Sequence, residues 1–296
     1  MHLLRPIVAR AGTLGDVPST QIAQNLAFVN WTVLTSLAVG TYLAVVLLRR
    51  RTSATGGYLG FTATCAVAFG LLAWLSDGAL PAALTDSPVP DDPAWAGPRA
   101  AALLAFCGAA AVALIARRIR PAAGAPVEVV ALAAGILALV FGALSWGGAA
   151  ALGIATLLIQ LVVLAASAGA VFSAMILGHW YLVTPKLPEA PLIVLSRALL
   201  LVVAAQIVLF WVWIGTGAGP ADTQPFSALT GPWALFVWLR LIVGLVFPLV
   251  VSWAAMQTAK TRSMESATGL HYINVGTILA GTILAAGLYF GAGLLV

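Results

Sequence analysis

NLAFVNWTVLTSLAVGTYLAVVLLRRR, Asn25–Arg51, is an apolar run followed by three consecutive arginines. A membrane-crossing helix needs about 20 mostly apolar residues, so Asn25 to Leu48 reads as one crossing. Arg49, Arg50 and Arg51 then mark the face of the bilayer at which it ends. The same punctuation recurs down the chain. Arg117, Arg118 and Arg120, then Lys186 and Arg197, then Lys260 and Arg262 also sit at the ends of apolar runs.

These four segments hold ten of the fourteen Lys and Arg residues, and by the positive-inside rule they are the cytoplasmic loops. The ten bases share that side with three acids, Glu128, Glu189 and Glu265. The other side carries Arg5, Arg10 and Arg99 against six acids, Asp16, Asp77, Asp86, Asp91, Asp92 and Asp222. The net positive charge therefore reports topology and requires no nucleic-acid partner. With 62% hydrophobic and 8% charged residues, the chain cannot clothe itself in a water-soluble surface. It reads as an all-α, polytopic membrane bundle in the bacterial cytoplasmic membrane, with the lipid bilayer as its first partner.

Eight crossings are expected: Asn25 to Leu48, Tyr58 to Leu80, Ala100 to Ala116, Val127 to Trp146, Ala149 to Val183, Leu192 to Gly215, Pro232 to Met256 and Thr268 to Val296. An even number places both termini outside. Residues 1–24 lack an uninterrupted apolar core, because Arg5 and Arg10 break it, and read as an outer tail or interfacial helix ahead of a single domain, 25–296. The fifth run is too long for one straight crossing. It must tilt, project past the membrane, or break near Ser167, Ala168 and Gly169. Pro81 to Pro98 reads as an ordered or semi-ordered outer loop.

Trp31, Trp74, Trp146, Tyr181, Trp211, Trp213, Trp233 and Trp253 fall toward span ends and fit interfacial belts. Gly135, Ala138 and Gly142, and Gly287 and Gly291, have the spacing that lets helices approach closely. Cys65 and Cys107 fall at comparable depth inside successive spans, where they are expected as packing residues without a disulfide.

Polar groups in hydrocarbon are costly, which makes the few that occur the functional pointers. His179 and His271 are the only histidines outside the tail, and both fall near the inner interface on antiparallel helices. Two imidazoles at one level is what a bis-histidine b-type haem requires, so this pair is the candidate metal site, with Gly178, Gly269 and Gly276 giving room for the porphyrin; each histidine also reads as an interfacial residue hydrogen-bonded to a neighbouring carbonyl or headgroup. At most one such haem can be built.

Arg240 lies eight residues into the seventh span on a stripe with Trp233, Phe236, Gly244 and Pro248. Pro248 cannot donate an amide hydrogen, which frees the carbonyl of Gly244 beside Arg240. Gln206 and Gln160 fall at nearly the same depth, and Trp213 shares a face with Gln206. Arg240, Gln206, Gln160, Trp213 and Phe236 are thus the expected binding group for a quinone headgroup, a haem propionate or a small anion. The same polar residues also read as an internal lock between three helices.

Phosphate-binding, metalloprotease, prenyl-transfer and nucleophile-elbow motifs are absent from the sequence. No span carries a central carboxylate, which disfavours a proton-coupled pump. What remains is a membrane subunit of a respiratory or other electron-transfer complex, binding quinone, one haem b and other subunits. A transporter or channel for a small anionic or neutral solute, with Arg240 as its cation, is the alternative, and a purely structural assembly subunit is the second. The helix count and basic inner loops resemble the eight-helix, quinone-interacting anchors of polysulfide-reductase-type enzymes. That likeness is one of architecture, without a shared motif, and implies a fold more than a function.

Overall fold

The first apolar run forms one unbroken helix and becomes the centre of the molecule. The structure, a computed structural model, describes residues 18–81, 87–184 and 186–296. A short helix α1 (Pro18–Gln24) leads into α2 (Leu26–Arg51), followed by α3 (Gly56–Gly78), α4 (Ala96–Ile119), α5 (Pro121–Trp146), α6 (Ala151–Val183) and α7 (Ala190–Thr216). Then come α8 (Ala234–Leu241), a π turn over Ile242–Val246, α9 (Phe247–Lys260) and α10 (Met264–Ala292). Counting α8 and α9 as one span, eight helices among the described residues are long and apolar enough to cross a membrane and no strand occurs among those residues, so the protein is a helical integral membrane protein.

Of the most apolar part of α2, 78% is buried inside the protein, against 33% for α3 and α7. It is therefore the bundle's axis, packed against α3, α5, α6 and α10. The outer helices turn Leu71, Leu75, Ile115, Val130, Val208 and Val250 outward, where lipid covers them. One end of the bundle, called here the basic end, gathers Arg49–Arg51, Arg117, Arg118 and Lys260. The opposite, or far, end carries Asp77, Asp91, Asp92 and Asp222.

In lipid, apolar side chains gain little by leaving one apolar medium for another, so close backbone packing has to hold helices together. The tightest crossing is between α2 and α6. A Cβ on Gly40 would lie 1.7 Å from the carbonyl oxygen of Ala165, and one on Gly169 would lie 1.8 Å from the carbonyl carbon of Gly40. Of the three alternatives for the long fifth run, the break near Gly169 is excluded. All 33 residues of α6 are helical, and the glycine serves contact rather than a kink. At about 1.5 Å per residue such a helix is about 50 Å long, so it tilts or projects.

Four further expectations are revised. Helices α4 and α5 start earlier than read, at Ala96 and Pro121, because proline is well suited to a first helical turn. Within α5, Pro126 is interior and leaves the Ala122 carbonyl without its helical N–H partner. The last span ends at Ala292. Gly293 takes a left-handed φ of 67°, and the chain reverses so that Leu294, Leu295 and Val296 fold inward. Finally, Trp31, Trp146, Tyr181 and Trp213 are core residues rather than belt residues, whereas Trp211 and Trp253 are exposed as a belt requires. Both cysteines are free. The tail before Pro18 lies outside the described residues, but α1 is present and lays Ile22 on Gly287 of α10.

A methyl group added at Gly40 has to push two backbones apart, whereas one added at Gly60 meets no atom within 4 Å. Gly40→Ala should lose about 1–3 kcal/mol of stability, the usual range for overpacking. Gly60→Ala should be neutral or gain about 0.5–1 kcal/mol from helix propensity. Thermal unfolding of the two variants side by side in one detergent checks the difference.

Candidate functional site

Three buried polar clusters tie the helices together, and the expected Arg240 group is the middle one. Arg240 is 2% exposed. Its Nη2 donates to Gln206 Oε1 at 2.7 Å, its Nη1 to the Gly244 carbonyl at 3.4 Å and its Nε to the main-chain oxygen of Val296 at 3.5 Å. The carbonyl expected to be freed by Pro248 is thus the one that Arg240 uses. The π turn between them is how the helix absorbs the missing amide. Beneath it the backbones of Gly244 and Gly281 pack directly, since a Cβ on either would lie 2.7 Å from the other's Cα.

Gln160 joins this cluster from α6 through Val296, donating Nε2 to the same main-chain oxygen at 2.9 Å. Arg240, Gln206 and Gln160 are therefore brought together, as expected from their depth. The last residue of the inward-folded chain occupies the space between them. The cluster is a closed lock: each of the three guanidinium nitrogens has an internal acceptor. Phe236 stays half-buried against Trp233, 6.0 Å between ring centroids. Trp213 lies further toward the far end.

There Trp213 meets a cavity of ≈ 840 Å³, bounded by the α5–α6 turn, the start of α6, the end of α7 and the end of α10. Tyr289, Thr156, Thr216, Asp222 and Leu295 also line it. The volume falls in the range of about 300–1,000 Å³ common for small-molecule sites. The tyrosine hydroxyl is committed to the carbonyl of Trp146 at 2.7 Å, and both threonines bond back to their own helices. Free donors come instead from the backbone. Helix α6 begins in this wall, near Ala150, Leu152 and Gly153, without a side-chain cap, and first-turn N–H groups have no partner inside their helix. Leu152 and Val212, both exposed, give the cavity an apolar lip on the lipid side.

The expected haem pair is not assembled. His271 is fully buried, and its Nε2 lies 2.9 Å from Ser196 Oγ on α7. The serine hydroxyl donates to the Leu192 carbonyl at 2.8 Å, so it accepts from a protonated Nε2 and leaves Nδ1 bare. His179 instead is exposed on the outside of α6. Between them the helices touch: a Cβ on Gly178 would lie 2.6 Å from Thr268 Oγ1 of α10. Successive helical residues point about 100° apart. With Gly178 against α10, His179 is turned away from it. The residues present do not fit a bis-histidine haem.

Two clusters were not legible as clusters. At the far end Arg99, 4% exposed, pairs through Nε with Asp77 Oδ1 at 2.5 Å and donates Nη1 to Ser145 Oγ at 2.6 Å. Its guanidinium carbon lies 4.4 Å from the centroid of the Trp146 ring, whose Nε1 donates to Asp91 Oδ1 at 3.1 Å. At the basic end buried Glu128 bridges Arg117, with Nη2 to Oε2 at 2.5 Å, and Arg49, whose Nε is 2.8 Å from Oε1 without its hydrogen aimed there. The available signal was opposite charges at the same ends of antiparallel neighbours. Among the described residues no group of three His, Cys, Asp or Glu side chains is placed to hold a metal ion.

Comparison with known protein families, characterised proteins and solved structures finds no match to this chain.

Replacing Arg240 with leucine leaves the Gln206 Oε1 buried without its donor and the Val296 oxygen with Gln160 alone. We expect Arg240→Leu to cost about 3 kcal/mol, the upper range for hydrogen bonds to a charged group. Denaturant unfolding in mixed micelles measures it, and a wild-type midpoint would contradict the lock.

Proposed function

We propose that this chain is a membrane subunit of an electron-transfer complex, and that the far-end cavity takes the ring of a lipid-soluble quinone. The observation that carries the reading is the cavity beside Trp213. It combines an aromatic face, an apolar lip open to lipid and uncapped helix N–H groups suited to a quinone carbonyl. Trp213, one of the residues expected at such a site, remains in it. Arg240, Gln206 and Gln160 support its floor from behind, since Leu295 lines the cavity and Val296, the next residue, is held by the cluster.

Solute transport is the weaker reading on this geometry. It needs Arg240 to meet an incoming ligand, and that side chain is enclosed, with each of its three nitrogens already bonded to an internal acceptor. A purely structural subunit would have no need of a lined, lipid-accessible chamber. Haem chemistry forms no part of the proposal, because the two histidines do not face one space.

Quinone extracted from the purified full chain should approach one equivalent, and a short-chain quinone should quench tryptophan fluorescence saturably. Thr156→Phe fills the chamber from α6 without touching Arg240, and should weaken that quenching by about tenfold, or 1.4 kcal/mol. A wild-type protein with neither extractable quinone nor saturable quenching would overturn the proposal.

We further propose that the basic end faces the cytoplasm of a bacterial cell, a reading supported by the bias that keeps Lys and Arg on the inner side of a membrane. In a background lacking Cys65 and Cys107, Asp222→Cys should react with a membrane-impermeant maleimide on intact cells. Arg118→Cys should react only after lysis. Reversed labelling would invert the topology.

A further inference from the structure

We infer that the basic end carries a binding site for the phosphate headgroup of an anionic phospholipid, in the groove between α3 and α4. A cavity of ≈ 540 Å³ opens there, lined by Arg49, Arg117 and Arg118, by Gly56 and Gly60, and by Phe61. Among the described residues Glu128 is the one carboxylate that engages these arginines, and it is shared by Arg49 and Arg117. Arg118 takes part in none of the ion pairs among the described residues. The groove therefore holds more positive charge than the protein neutralises.

Its shape has no internal explanation. Glycine in a helix costs stability relative to alanine, and a buried contact normally justifies it, as at Gly40. Around Gly56 and Gly60 a Cβ would meet nothing within 4 Å. What the missing side chains leave is space beside the arginines. Helix α3 also begins at Gly56 without a side-chain cap, so its first-turn N–H groups add donors and a positive dipole end on that side.

The groove runs from charge to hydrocarbon. Phe61, half exposed, and Leu114 continue it down the lipid-facing side of the bundle, where acyl chains already lie. A ligand with a phosphate at one end and hydrocarbon at the other matches both parts. A soluble anion would use only the upper part. Basic pockets between membrane helices at the cytoplasmic surface are a recurring setting for anionic headgroups.

The test compares phosphatidylglycerol with phosphatidylcholine on the purified full chain, by native mass spectrometry of lipid retained through detergent exchange. Wild type should retain the anionic lipid about fivefold better, the preference one arginine near an anionic headgroup provides. Arg118→Gln and Gly60→Leu should bring that ratio close to unity, the first by removing charge and the second by filling the groove. Lys260→Gln, at the same end but on α9, should leave the ratio unchanged. Equal retention of both lipids by wild type would overturn the inference, as would an equal fall in Arg118→Gln and Lys260→Gln, which would mark bulk surface charge. Displacement of the lipid by millimolar inorganic phosphate would overturn the lipid assignment in favour of a soluble anion.

Discussion

The backbone contact between α2 and α6 at Gly40 and Gly169 is the constraint from which the other positions follow. Because these two helices touch main chain to main chain, α6 can run its full length beside the bundle's axis. Gln160 then falls near the far half and Gly178 near the basic half. The first meets Val296, and the second packs on Thr268 of α10. Widening that crossing by a methyl group moves both ends of α6, and with them one wall of the far-end cavity.

Lipid removes most of the hydrophobic reason for one helix to prefer one neighbour, so the choice of neighbour falls to packing and to polar groups that must be satisfied. The three clusters do this at three places. Arg99 with Asp77 and Ser145 joins α3, α4 and α5 at the far end. Glu128 with Arg49 and Arg117 joins α2, α4 and α5 at the basic end. Arg240 with Gln206 joins α7 and α8, and Val296 brings in Gln160 of α6. Asn274 of α10 adds a neutral link, donating to Ser252 of α9 at 2.8 Å. Removing the residue at the centre of a cluster leaves its partners short of a hydrogen bond, so each cluster specifies an arrangement as well as holding it.

The eight crossings could be read because length and polarity decide them, and neither depends on which helix lies beside which. Depth could be read too, which is why Arg240, Gln206 and Gln160 were placed at one level and do meet. Rotation about a helix axis could not. His179 and His271 share a depth, yet Gly178 turns its neighbour outward while His271 points at Ser196. Asp77 and Arg99, 22 residues apart, were assigned a side of the membrane but not a partner. The reversal at Gly293 was missed for a related reason: three apolar residues after a glycine look the same as the last turn of a membrane helix.

That reversal matters most for the site. Had α10 continued to Val296, Gln160 would lose the acceptor of its one donated bond and Arg240 one of its three. Instead Leu295 and Val296 form a partition one residue thick, with the cavity on one side and the guanidinium on the other. Arg240 then needs no ligand to offset its burial, because the chain supplies the acceptors. The cavity, walled off from the guanidinium, keeps an aromatic and apolar wall with backbone donors at its mouth, and its one charged lining residue among those described is the acid Asp222. A neutral ring with polar oxygens suits such a chamber better than an anion does, since an anion would have to leave water without direct contact with the arginine behind the partition.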